Sequence, residues 1–104
     1  MKNALTNDKT FKAYLKRHGI VIGIARDGDS RVPGYAACLF RPACPKIIET
    51  LDPQGNVAHE WTQICSDSKM TQKSACTSFR QWLKAHEICG LRCDGNFFPF
   101  TTNQ

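Results

Sequence analysis

Residues 46–64 hold two strand-like runs on either side of Asp52-Pro53-Gln54-Gly55, and no other stretch restricts the path of the chain so tightly. Aspartate suits the first place of a type I turn, proline already has the φ required at the second, and glycine can take the left-handed conformation that makes a bulge. A hairpin is expected. Its loop would set Leu51 opposite Val57, Glu49 opposite His59 and Ile47 opposite Trp61 on one face, with Thr50 and Ala58, and Ile48 and Glu60, on the other.

Two helices are expected on either side of it. From Asn7 to His18, Phe11, Tyr14, Leu15 and His18 recur at helical spacing, Thr6 or Asn7 can cap the start, and Gly19 can close the end. After the polar loop Ser66–Lys69, Thr71 is an N-cap for a longer helix running to Ile88 or Cys89, with Gly90 past its end. Ala75, Cys76, Phe79, Trp82, Leu83 and His86 form its apolar stripe, while Lys73, Thr77, Arg80 and Lys84 share the opposite face.

The remaining runs are extended. Ile20–Ala25 is β-branched and continuous, the pattern of a central strand covered on both faces, and Asp27-Gly28-Asp29-Ser30 supplies a turn after it. Tyr35–Phe40, between Pro33-Gly34 and Arg41-Pro42, makes a second strand, and beyond the Asp94-Gly95-Asn96 turn, Phe97-Phe98-Pro99-Phe100 is an edge strand or an extended tail. No internal repeat is evident. The class is α+β: a single domain spanning residues 1–104, with one antiparallel or mixed sheet of about four strands and two amphipathic helices. Its expected core is Phe11, Leu15, Ile20, Ile22, Ile24, Leu39, Ile47, Trp61, Phe79, Trp82 and Leu83.

A chain of 104 residues has room for one modest core and not for a multidomain enzyme. Its longest strongly apolar run, Ile20–Ala25, is far shorter than the ~18 residues that cross a bilayer, so no membrane association is expected and the setting is read as cytoplasmic. Six cysteines without an apolar leader fit reduced thiols. The net charge is +5, concentrated on the helical segments: Lys2, Lys9, Lys12, Lys16 and Arg17 face only Asp8, and Lys69, Lys73, Arg80, Lys84 and Arg92 face only Glu87.

Several clusters could carry chemistry. His86 and Cys89, three apart on a helix face, with Cys93 brought near by a reversal at Gly90, are candidate zinc ligands, and Cys65, His59, Cys38 or Cys44 could supply the fourth. No other cofactor is expected. Glu49 beside His59, with Cys65 further on, has the residue types of a base and a thiol nucleophile, but no nucleophile elbow or oxyanion loop accompanies them. Asp27–Arg31 lacks the spaced acids of a calcium loop, and the glycines form no phosphate-binding fingerprint. Lys9, Lys12 and Lys16 on one helix and Lys73, Arg80 and Lys84 on the other would bind several phosphates if both stripes faced the same side. Tyr35, Phe97, Phe98 and Phe100 are candidates for an exposed apolar patch that docks on another protein.

Residues 46–84, a hairpin at Asp52-Pro53-Gln54-Gly55 followed by a Thr71-capped helix with Trp82-Leu83, resemble the sheet-plus-helix DNA-binding domains of tyrosine recombinases. The resemblance implies a sheet that enters the major groove on basic strand residues. Here the matching strands carry Glu49, Asp52 and Glu60 with only Lys46 basic, the wrong charge for that use. In general style the chain resembles short accessory proteins of bacteriophages and mobile elements, such as antirepressors and inhibitors of host defence. The expectation is a small non-enzymatic regulatory protein that binds another protein, with a homodimer as one option for its assembly and with nucleic-acid binding and a zinc-stabilised module as alternatives.

Overall fold

Both helices begin and end by the same local chemistry. The computed structural model describes residues 2–26, 34–43, 46–59 and 63–102, with all their side chains but those of Lys2 and Thr102. In helix α1, Asp8–Arg17, the Asn7 side chain accepts from Thr10 N at 2.9 Å while the Thr10 hydroxyl accepts from Asn7 N at 3.2 Å. In helix α2, Gln72–Ala85, Thr71 and Ser74 exchange the same two bonds at 3.1 and 2.9 Å. Each reciprocal pair satisfies two of the amides that a helix start leaves open.

At the other end, His18 and His86 are the cap residues, and Gly19 (φ 67°) and Glu87 (φ 54°) turn left-handed. Gly19 N then donates to Lys16 O at 3.2 Å and Ile20 N to Leu15 O at 2.9 Å; Glu87 N donates to Lys84 O at 3.1 Å and Ile88 N to Leu83 O at 3.0 Å. These are two Schellman closures. The expected extension of α2 to Ile88 or Cys89 is thereby corrected: Glu87 reverses the chain, and Gly90 belongs to the strand that follows.

The strands are β1 Lys2–Asn3, β2 Val21–Arg26, β3 Tyr35–Phe40, β4 Glu49–Leu51, β5 Val57–His59, β6 Gln63–Ser66, β7 Gly90–Cys93, β8 Asn96–Pro99 and β9 Thr101–Thr102. The α+β class holds, but the single sheet divides into two antiparallel sheets, ordered β2-β3-β6 and β5-β4-β7-β8, with a small β1-β9 ribbon besides. Among the described residues β2 is an edge strand, not a central one; Ile22 points into the core while Val21 and Ala25 are exposed. The second arm of the hairpin ends at His59, and β6 joins the other sheet against β3, so the hairpin and α2 are not one unit of the recombinase type.

The turn itself is as expected. Gly55 (φ 85°) donates to Asp52 O at 2.9 Å, and the Asp52 carboxylate accepts from Gln54 N and Asn56 N. Leu51 faces Val57, but an irregularity between Thr50 and Leu51 shifts the rest, so that Thr50, not Glu49, faces His59. The extra residue is Ala58, and such a one-residue shift turns the later side chains of β5 to the other face relative to β4. Ile48 and Thr50 are buried, Ile47 is 64% exposed instead of in the core, and Glu49 pairs with Arg92 across β7 at 2.8 Å. Buried Thr50 satisfies its hydroxyl on His59 O at 3.2 Å.

Of the expected core, Phe11, Leu15, Ile20, Ile22, Leu39, Phe79 and Leu83 are buried, and Ile24 and Trp82 pack against them half-buried. Trp61, Glu60, Cys44, Pro33 and the Asp27–Arg31 turn lie outside the described residues.

The fold also contains a repeat that the residue pattern conceals. Tyr14-Leu15-Lys16-Arg17-His18-Gly19-Ile20 and Trp82-Leu83-Lys84-Ala85-His86-Glu87-Ile88 make the same helix end, and each is followed by an antiparallel hairpin, β2-β3 or β7-β8. Tyr14 and His18 meet edge-on at 4.8 Å, and Trp82 and His86 stack at 4.3 Å. The units rest on each other's hairpins: the Tyr14 hydroxyl of α1 donates to Phe98 O in β8, and Gln72 Nε2 of α2 donates to Ile22 O in β2 at 3.0 Å.

In both hairpins a glycine lies under a phenylalanine ring. A Cβ on Gly23 would stand 2.6 Å from Phe40, and one on Gly90 would stand 2.6 Å from Phe97 and 2.7 Å from the Phe98 carbonyl. A ring can shift; a strand carbonyl held in a ladder resists. Gly90→Ala is therefore expected to destabilise the fold by about 1–3 kcal/mol, and Gly23→Ala by less, when both are compared in urea unfolding.

Candidate nucleic-acid interface

Four residues lock α1 to α2. The Thr77 hydroxyl donates to one Asp8 carboxylate oxygen, and Arg80 Nε donates to the other at 2.7 Å while its Nη1 reaches Leu5 O at 3.3 Å. One turn further along α1, Lys12 borders the same groove as the buried Cys76, one turn back along α2. The helices therefore run antiparallel. Lys12 and Lys16 then line a shallow groove with Gln72 and Cys76, at the start of α2.

This packing decides where the basic stripes go. Phe11 and Leu15 point to the core and Asp8 to the seam, so Lys9, Lys12 and Lys16 fall on the seam's solvent side, as helical spacing requires. On α2, Cys76, Phe79 and Leu83 point inward and Arg80 to the seam, which puts Lys73 and Lys84 on that same side. Lys9, Lys12, Lys16, Lys73 and Lys84 are all exposed. Arg80, with 17% of its side chain exposed, is an exception: it neutralises Asp8 and is not available to a ligand.

The Thr77 hydroxyl, followed by the Arg80 guanidinium, holds the Asp8 carboxyl below its ordinary value of 3.8, and the Arg92 hydrogen bond does the same for Glu49, ordinarily 4.5. A carboxyl depressed in the folded state adds stability above its unfolded pKa and loses it as pH falls through the folded value. The melting temperature is expected to hold steady from neutral pH down to about 5 and to fall below about 4. The double variant Asp8→Asn, Glu49→Gln should start lower and respond less to acid.

The apolar docking patch is redistributed. Successive residues of β8 face opposite ways: Phe97 is 45% exposed over Gly90, whereas Phe98 lies between His18, stacked at 4.2 Å, and the Arg41 guanidinium at 5.1 Å. Phe100 is in the core against Tyr14, and half-buried Tyr35 is on the other sheet, opposite Arg26 and Ser66. These four residues make no common surface.

The zinc geometry is corrected for a related reason. Because α2 ends before His86, that residue and Cys89 share no helix face, and because Gly90 is extended, Cys93 is carried about 10 Å along β7 instead of folding back. His86 Nδ1 bonds Trp82 O at 2.9 Å, and the Cys93 thiol points to Lys46 O at 3.8 Å. Among the described residues no group of three or more His, Cys, Asp or Glu side chains is placed to hold a metal ion. Thr50, not Glu49, is the cross-strand neighbour of His59, and Cys65 is an exposed residue of β6.

No helix among the described residues is long and apolar enough to cross a membrane. No protein-family model, curated protein or solved structure matches the chain.

The Asp8–Thr77–Arg80 buckle was not anticipated from the sequence. Its only trace there is a single acid in a basic segment, opposite an arginine in the middle of the second stripe.

Proposed function

We propose that this chain is a small non-enzymatic regulatory protein that acts by binding a nucleic acid on the outer face of its helix pair. The observation that supports the reading is the convergence of both lysine stripes on one side of the α1–α2 seam, with the acid at that seam, Asp8, already paired to Arg80. Phosphates are the ligands that such a row of exposed ammonium groups recognises. A cytoplasmic setting belongs to the proposal, in keeping with the thiols of Cys38, Cys65, Cys76 and Cys89.

Fluorescence anisotropy with a labelled oligonucleotide, titrated at several salt concentrations, tests it. Binding that weakens steeply with salt and is abolished when the five exposed lysines become alanine supports the reading; binding indifferent to salt overturns it.

A second reading, a protein partner, is favoured by the outer face of the β5-β4-β7-β8 sheet. Exposed Val57 and Pro99 lie in one row across the strands, on either side of buried Leu51 and Gly90, with exposed Phe97 beside them. Phe97→Ser would weaken a partner's binding there and leave nucleic-acid binding unchanged.

A further inference from the structure

The two helices pair antiparallel with equivalent positions across the seam, an approximately two-fold arrangement that narrows the kind of nucleic acid their shared face fits. In the repeat, Asp8 corresponds to Cys76 and Lys12 to Arg80. Exchanging the units therefore turns the Asp8–Arg80 pair into Cys76 and Lys12, and these two line the same groove at the seam. A contact and its exchanged counterpart are the mark of an isologous arrangement, here within a single chain. The exposed cations follow the same rule: Lys16 and Lys84 occupy equivalent positions on antiparallel helices, one on each side of the axis.

Resting on the nucleic-acid reading above, we infer that the ligand is a double helix, gripped across a dyad, with Lys16 on the backbone of one strand and Lys84 on the backbone of the other. The two strands of a duplex are antiparallel and related by two-fold axes perpendicular to its length, so a protein face with the same symmetry meets both backbones equivalently. A single strand has no such axis. Lys12 and its counterpart Arg80 contribute unequally, because Asp8 neutralises only Arg80.

The test compares a labelled short DNA duplex with one of its own strands, using the full chain and the variants Lys16→Ala and Lys84→Ala. Both lysines are exposed, so unchanged melting temperatures should confirm that the variants fold. The duplex is expected to bind at least about tenfold tighter than the strand. Each substitution should weaken duplex binding by the same factor, about eightfold at 0.1 M salt if each lysine neutralises one phosphate. Equal affinity for the single strand, or one lysine mattering and the other not, would overturn the two-fold grip and leave the nucleic-acid reading standing. Failure to bind either form would overturn that reading, and this inference with it.

Discussion

Phe79→Ala should cost about 3–5 kcal/mol of folding free energy, and Phe11→Ala should cost a similar amount, read from urea unfolding midpoints. Both rings have 0% exposure, both belong to the same core cluster, and they hold corresponding positions in the two helices. Removing either leaves a void lined by residues whose backbones are fixed by caps and strand ladders, so collapse into it is limited. A domain of this size has only about 5–15 kcal/mol in total, so either variant should be close to unfolding at body temperature. Phe79→Leu, which keeps most of the volume, should retain most of the stability. A full cost at one position and a negligible one at the other would show that the two helices are not equivalent in the core.

The second large effect is electrostatic. If Lys9, Lys12, Lys16, Lys73 and Lys84 each neutralise a phosphate, the observed binding constant should fall with a log–log salt slope of roughly −4.5, or about 500-fold between 50 and 200 mM salt. Each lysine replaced by alanine should reduce that slope by about one. Arg80→Ala should behave differently. It leaves Asp8 without its ion pair at the helix seam, so its main effect should be on the melting temperature, with the salt slope nearly unchanged.

Local chemistry was legible wherever a residue type has few conformational options. Asn7, Thr71, Gly19 and the Asp52–Gly55 turn are where capping and turn preferences put them, and the Asp94-Gly95 reversal has both residues left-handed, at φ 53° and 81°, as a tight hairpin needs. What was not legible depended on partners distant in the chain. An extra residue in β5, Ala58, shifts its pairing with β4, and Ile48 and Thr50, not Ile47 and Glu49, are on the buried side of β4. Arg80 looked like a surface cation because its acid is in another helix.

The repeat was hidden by two local differences. Glu87 replaces the glycine that would have announced the second left-handed turn, and α2 runs 14 residues to the 10 of α1. For the candidate site, the sequence disclosed the charges but not whether they converge, since that is decided by the antiparallel seam and not by either helix alone.

The reciprocal seating of each helix on the other unit's hairpin has a consequence for how the molecule comes apart. Neither half retains a complete hydrophobic interior when the other leaves, so partial opening gains little chain entropy for the packing it sacrifices. Loss of structure should then be all-or-none, with slow-exchanging amides in β2, β3, β7 and both helices reporting one shared opening event.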